Sequence, residues 1–155
     1  MKVIYFDVDG TLGDFYSVDG WLDCLLAHDP RPYAEARPFF SIDEVIRIFE
    51  MCIKAGYRVG VISWCSREKN KEFDRLTREV KKTWLQEHFP IASEVHIVAY
   101  GTPKWKVIDR SLRADAILVD DEDKNLADWS AHCAQAIHAS DFFDFIKGKK
   151  AIDLF

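Results

Sequence analysis

The chain has 155 residues, 48% of them hydrophobic and 14% aromatic, which is enough to bury one proper core. Its formal net charge of −5 argues against broad binding to duplex nucleic acid or to an anionic membrane, both of which call for an excess of Lys and Arg. No apolar run approaches the roughly 18–20 residues needed to span a bilayer. Met1-Lys2 lead straight into Val3-Ile4-Tyr5-Phe6, too short for a signal-peptide core, so no membrane partner and a cytoplasmic location are expected. The four cysteines, Cys24, Cys52, Cys65 and Cys133, form no CxxC pair and are expected to be reduced. None has a zinc-ligand spacing with His28, His88, His96, His132 or His138.

In chain order, Val3–Phe6 is a continuous apolar run, suited to a strand covered on both faces. Ser41 and Glu44 form a capping box, after which Val45, Ile46, Ile48, Phe49, Cys52 and Ile53 recur with helical period. Gly56 stands where a helix C-cap glycine belongs. Residues 57–63, YRVGVIS, read as a second strand. From Ser66 to His88 a charged helix is expected, with Phe73, Leu76, Val80 and Trp84 as its apolar stripe and Ser66 as a candidate cap. Its basic and acidic residues read mainly as a solvated face, and secondarily as a place for an oligonucleotide to land. Residues 94–100 read as a third strand, followed by Thr102-Pro103 as N-cap and first helical residue. A fourth strand is expected at 116–121, a helix at 124–132, a short fifth strand at 134–139 and a final helix near 141–147. Apolar strands alternating with helices predict an α/β fold, Rossmann-like, with a mostly parallel sheet flanked by helices. The chain is read as one domain, 1–155. A small cap insertion after strand 1, about residues 14–41, is read as one short helix and a proline-rich return.

In such sheets ligands bind beyond the carboxyl ends of the strands. There the sequence puts Asp7 and Asp9, Ser63, and Asp120-Asp121, with Lys104 opening the helix after strand 3. Clustered carboxylates repel one another unless a cation sits among them, and an all-oxygen donor set suits Mg²⁺. A cation would also screen a phosphate so that a carboxylate could attack it, with a second acid moving the protons. A hydroxyl and an ammonium would hold the phosphoryl oxygens. An EF-hand does not fit DVDG, because Gly10 and Thr11 stand where that loop needs an acid or Asn and then Gly.

Four segments together carry a resemblance. VIYFDVDGT, VGVIS, TPK and AILVDD, in that order, are similar to the four motifs of the haloacid dehalogenase-like phosphohydrolases, over nearly the whole chain. The resemblance implies Asp7 as nucleophile and metal ligand, and Asp9 as general acid/base whose main-chain carbonyl also binds the metal. It further implies Asp120 as a metal ligand, Asp121 as a metal ligand acting directly or through metal-bound water, Asn125 as an outer-shell group, and Ser63 and Lys104 as phosphate-binding groups. Lys106, two residues on, is the alternative to Lys104, and Ser63 could instead cap the next helix. The dehalogenases of the family lack the second aspartate, so Asp9 favours phosphate chemistry. The cofactor implied is Mg²⁺.

DVDGTLGDF is also similar to the opening of the 5'(3')-deoxyribonucleotidases. The substrate expected is therefore a small phosphorylated compound, a nucleotide foremost. Polynucleotide 3'-phosphatase and a non-catalytic binding or regulatory module are the alternatives. Phe15, Tyr16 and Trp21 could stack on a base or fasten the insertion to the core, and Trp64 and Cys65 could touch substrate or simply pack.

Overall fold

The computed structural model of the chain describes residues 2–151. β1 (Lys2–Phe6) is followed by the two-residue β2 (Gly13–Asp14), a 3-10 turn at Phe15–Ser17, α1 (Trp21–Leu26), α2 (Arg31–Glu35) and β3 (Arg37–Pro38). Then come α3 (Ile42–Lys54), β4 (Tyr57–Trp64), α4 (Lys71–His88), β5 (Glu94–Val98), α5 (Lys104–Val107), β6 (Ala116–Asp120), α6 (Asp123–Ser130), β7 (Gln135–His138) and α7 (Ala139–Ile146). The large sheet runs β5-β4-β1-β6-β7 with every neighbouring pair parallel. The fold is thus the parallel α/β class expected.

The reason lies in the strand sequences. Val3, Ile4, Tyr5 and Phe6 alternate between two apolar layers, so β1 has no polar face to offer water. Ile4 and Phe6 join Val61, Val119 and residues of α3, α4 and α7 on one side of the sheet. Val3 and Tyr5 join Ile62, Leu118 and Trp129 of α6 on the other. The chain leaves β1 toward β4 and β5, then returns across it to β6 and β7. The order therefore reverses beside β1, and the ends of β1 and β6 open onto the crevice that such a reversal creates.

Four local expectations need correcting. Ser66 does not cap α4; its hydroxyl accepts from Glu68 N (3.2 Å), and Asn70 caps instead by accepting from Phe73 N (2.9 Å). The buried stripe of α4 is Phe73, Thr77, Lys81, Trp84 and Leu85, while Leu76 and Val80 are only half-buried. Thr102 is not an N-cap either: its hydroxyl donates to Ala99 O (2.7 Å), closing a turn, and Pro103 occupies the cap place. The stretch after β1 holds two short helices rather than one, pinched at its base where Gly13–Asp14 pairs antiparallel with Arg37–Pro38. Helices of six and five residues without side-chain caps are too short to stand on propensity, and depend on tertiary packing. Phe15 supplies it, buried and stacked on Tyr33 with ring centroids 4.7 Å apart. At about 1.5–3 kcal/mol for a buried large apolar side chain, Phe15 fastens the insertion.

Candidate active site

The chain turns sharply after β1. Val8 O accepts from Thr11, Leu12 and Gly13, and Asp7 N donates to Val119 O (2.9 Å), tying the start of the turn to the end of β6. Gly10 has φ +79°, and a Cβ there would lie 2.2 Å from Asp121 Oδ2. Only glycine lets this loop press against Asp121, which also accepts from Thr11 Oγ1 at 3.3 Å.

Asp7, Asp120 and Asp121 each offer a carboxylate oxygen within 4.8 Å of the others. Lys104, buried at the start of α5, puts Nζ 2.9 Å from Asp7 Oδ1 and 2.6 Å from Asp120 Oδ2. Asp120 also accepts from Glu122 N (2.9 Å) and Asn125 Nδ2 (3.2 Å), so α6 orients it. Lys106 is exposed and rests over the Trp105 ring, so Lys104 is the lysine that meets the acids.

Asp9 takes a different partner. Its Oδ2 accepts from Lys81 Nζ at 2.6 Å, and the same ammonium donates to Trp64 O (2.6 Å) and to Ser63 Oγ (3.1 Å). Lys81 is 1% exposed and also sits 4.6 Å from the Tyr33 ring centre. Ser63 is wholly buried near the end of β4. Asp9's carboxylate thus lies outside the acid trio, held beside the hydroxyl. The α4 side of the site was read as solvated charge, and Lys81 is the residue missed. Its signal was phase: Phe73, Thr77 and Lys81 follow at four-residue steps, which put a lysine on the buried stripe.

The charges do not balance within the trio. Two unit charges about 4 Å apart repel by about 4 kcal/mol at an effective dielectric of 20, and one ammonium faces three carboxylates. Burial, followed by Asp7 and Asp120, pushes Asp121 up to about 7. Asp120 is likewise raised, by burial and then Asp7, against the pull of Lys104. Burial raises Asp9 more than Lys81 lowers it, and Asp7 adds to the rise. Burial pulls Lys104 down, but Asp7 and Asp120 outweigh it and leave the ammonium raised. A hard divalent cation would relieve this repulsion, and the donors are all carboxylate oxygens, so the residues fit Mg²⁺.

The acids open into a cleft of about 190 Å³ whose far wall includes Tyr16, Trp21 and Tyr33, with exposed Arg67 at its mouth. Tyr16, 54% exposed, and buried Phe15 both line the cleft, their rings meeting edge to face at 5.3 Å. Past Trp64, Tyr100, Glu122 and Asn125 the cleft continues into a groove of about 350 Å³. Trp64 donates from Nε1 to Thr102 O (2.8 Å) and meets the Tyr100 ring at 5.0 Å, so it both packs and walls the groove. Cys65 packs, with its thiol raised by burial.

No protein-family model and no curated protein matches the chain. Among solved structures it is similar to the D,D-heptose 1,7-bisphosphate phosphatase from Burkholderia thailandensis, at 18% identity and a TM-score of 0.52. The match covers 87% of this chain and 75% of that one. Among the described residues no helix is long and apolar enough to cross a membrane. At this identity the likeness establishes architecture alone: the chain has the parallel α/β fold of that phosphatase.

Proposed function

We propose that the chain is a Mg²⁺-dependent phosphomonoesterase that works through an aspartyl-phosphate on Asp7. The observation that carries the reading is the convergence of two differently equipped acids on one cleft. Asp7 lies with Asp120, Asp121 and Lys104, and Asp9 with Lys81 and Ser63. Asp7, Asp120, Asp121 and the main-chain carbonyl of Asp9 would hold the cation. When bound, Mg²⁺ supplies charge neutralisation between the nucleophile and the phosphate.

A carboxylate oxygen of Asp7 attacks phosphorus, and the bond from phosphorus to the leaving oxygen breaks. Asp9 gives that oxygen its proton, a role for which a carboxyl raised by burial is suited. Lys81 holds Asp9 beside Ser63, whose hydroxyl donates to a phosphoryl oxygen. Lys104, 2.9 Å from Asp7 Oδ1, balances charge gathering on the phosphoryl group. Asp9, now a base, takes a proton from water as that water attacks the phosphorus of the acyl phosphate. Inorganic phosphate leaves and Asp7 is restored.

The substrate we favour is a nucleotide. Trp129, 1% exposed, and Trp105, stacked on His132 with ring centroids 3.8 Å apart, back a groove whose accessible rings are Trp64 and Tyr100, with Lys124 at its edge. Stacking a base on such rings is worth about 1–3 kcal/mol.

The test is phosphate release from an aryl phosphate, 5'- and 3'-nucleoside monophosphates, sugar phosphates and a 3'-phosphorylated oligonucleotide. Each is run with Mg²⁺, with chelator, and with Asp7→Asn. Turnover that needs Mg²⁺, prefers a mononucleotide and vanishes in Asp7→Asn is expected. Preference for the oligonucleotide would move the assignment to 3'-end repair. No turnover on any compound by folded, Mg²⁺-binding protein would favour a binding module.

A further inference from the structure

Helix α3 is apolar on two sides. Val45, Ile48 and Cys52 face the core, as an amphipathic helix requires. Ile42, Ile46, Phe49 and Ile53 form a second row, spaced four, three and four residues apart, and are 59%, 47%, 40% and 55% exposed. Single exposed apolar residues need no explanation, but a continuous row of four large ones along one helix marks a contact surface. The spacing is that of a helix-to-helix seam.

Charge decides what covers the row. At about 100° per residue, Asp43, Arg47, Glu50 and Lys54 all fall on one flank of the stripe, the other flank being the core side. If a second α3 packs antiparallel about a two-fold axis, Ile42 meets the partner copy's Ile53 and Ile46 its Phe49. The same register sets Asp43 against the second copy's Lys54, and Glu50 near its Arg47, whose Nη2 also donates to Ile146 O of its own chain at 2.9 Å. Both flank pairs are then of opposite sign. Parallel pairing would instead set each charged flank beside the second copy's core side, leaving every flank charge without a partner. A membrane-surface helix would carry an excess of Lys and Arg on its polar side; α3 has three acids, Asp43, Glu44 and Glu50, against Arg47 and Lys54.

We infer that the chain forms a two-fold symmetric dimer through antiparallel pairing of α3. The seam is isologous, so each half supplies the other's partner and the assembly closes at two. One helix face is smaller than the roughly 800 Å² per partner of a standard interface, so the dimer is expected to be of modest affinity, around the micromolar range.

The test is sedimentation equilibrium of the full chain from about 1 to 200 µM, with thermal unfolding run alongside to check that each variant folds. A monomer–dimer equilibrium is expected. Phe49→Glu and Ile46→Glu replace exposed groups, should fold, and should weaken association at least about tenfold each. Lys54→Asp, which would set an acid against the second copy's Asp43, should weaken it by a smaller, salt-sensitive amount. Mixing Lys54→Asp with Asp43→Lys should restore pairing between the two variants, because both symmetry-related contacts between positions 43 and 54 are again of opposite sign. A chain that stays monomeric throughout, or a dimer untouched by Phe49→Glu and Ile46→Glu, would overturn the proposal. Binding of such a monomer to phosphatidylcholine–phosphatidylglycerol vesicles, lost in Phe49→Glu, would overturn it in favour of a lipid surface.

Discussion

Lys104 and Lys81 reach the cleft from opposite faces of the sheet, Lys104 from α5 and Lys81 from α4, and both are almost wholly buried. Lys104 lies among the acid trio and contacts two carboxylates, one of them Asp7. Lys81 contacts one carboxylate, a hydroxyl and a main-chain carbonyl, with no second acid within its hydrogen bonds. A buried ammonium between two acids acts mainly through charge, and will compete with any cation the acids attract. One that divides its three donors among an acid, a hydroxyl and a carbonyl acts mainly as a jig. The two halves of the cleft therefore differ in what a lysine does there.

Removing each ammonium breaks that comparison most severely. Lys104→Met is expected to lower turnover by about 10²–10³-fold and to destabilise the metal-free protein by about 3–5 kcal/mol, because Asp7 and Asp120 lose the one ammonium that contacts them among the described residues. Its Mg²⁺ affinity should rise, since the competing charge is gone. Lys81→Met is expected to lower kcat by about 10²-fold with little change in KM or in Mg²⁺ affinity. Titration calorimetry with Mg²⁺ on both variants, beside their kinetics, checks the contrast. Equal changes in Mg²⁺ affinity would erase it.

The next largest effect should come from Gly10→Ala, which asks for φ near +79° and a methyl inside Asp121. A loss of about 1–3 kcal/mol is expected, with weaker Mg²⁺ binding as Asp121 is displaced. Thermal unfolding with and without Mg²⁺ reads both.

A gentler perturbation is pH. Asp121 is raised to about 7, and Asp120 and Asp9 are raised as well. Between the unfolded value near 3.9 and the raised folded value, the native protein keeps protons that the unfolded chain releases. The stability of the metal-free protein should therefore fall as pH climbs from about 4 to 7, and the gain in Tm from Mg²⁺ should grow over the same window. A metal-free Tm that rises across that window would contradict the charge imbalance ascribed to the trio. The smallest effect belongs to Lys106→Ala, exposed and clear of the acids, which should change stability by no more than about 0.5 kcal/mol and leave turnover alone.

The same contrast explains what could be read from the sequence. Asp7, Asp9, Ser63 and Asp120 sit where strands end, so an apolar run followed by a polar residue locates each one, and the Thr102-Pro103 helix start locates Lys104. Lys81 sits inside an 18-residue helix crowded with charge, where an ammonium facing inward looks like its neighbours unless the helical phase is known to within a residue. A stripe on Leu76 and Val80 is one step out of phase with the buried one, and it places Lys81 on the wet side. The insertion was illegible for another reason. Its helices are short and uncapped, and what holds them is the contact of Phe15 with Tyr33, 18 positions away, which no local pattern announces. Long apolar strands and the capping box of Ser41 and Glu44, by contrast, were readable because their determinants are local.

The most direct measurement is to trap the covalent intermediate. Protein turning over its best substrate in Mg²⁺ is quenched, reduced with borohydride and digested for mass spectrometry. An acyl phosphate on Asp7 predicts reduction of that carboxyl to the alcohol, at Asp7 alone, and only when substrate and Mg²⁺ are both present. Reduction at Asp9 or Asp120 instead, or none at all in protein with demonstrated turnover, would contradict the assignment of Asp7 as the nucleophile.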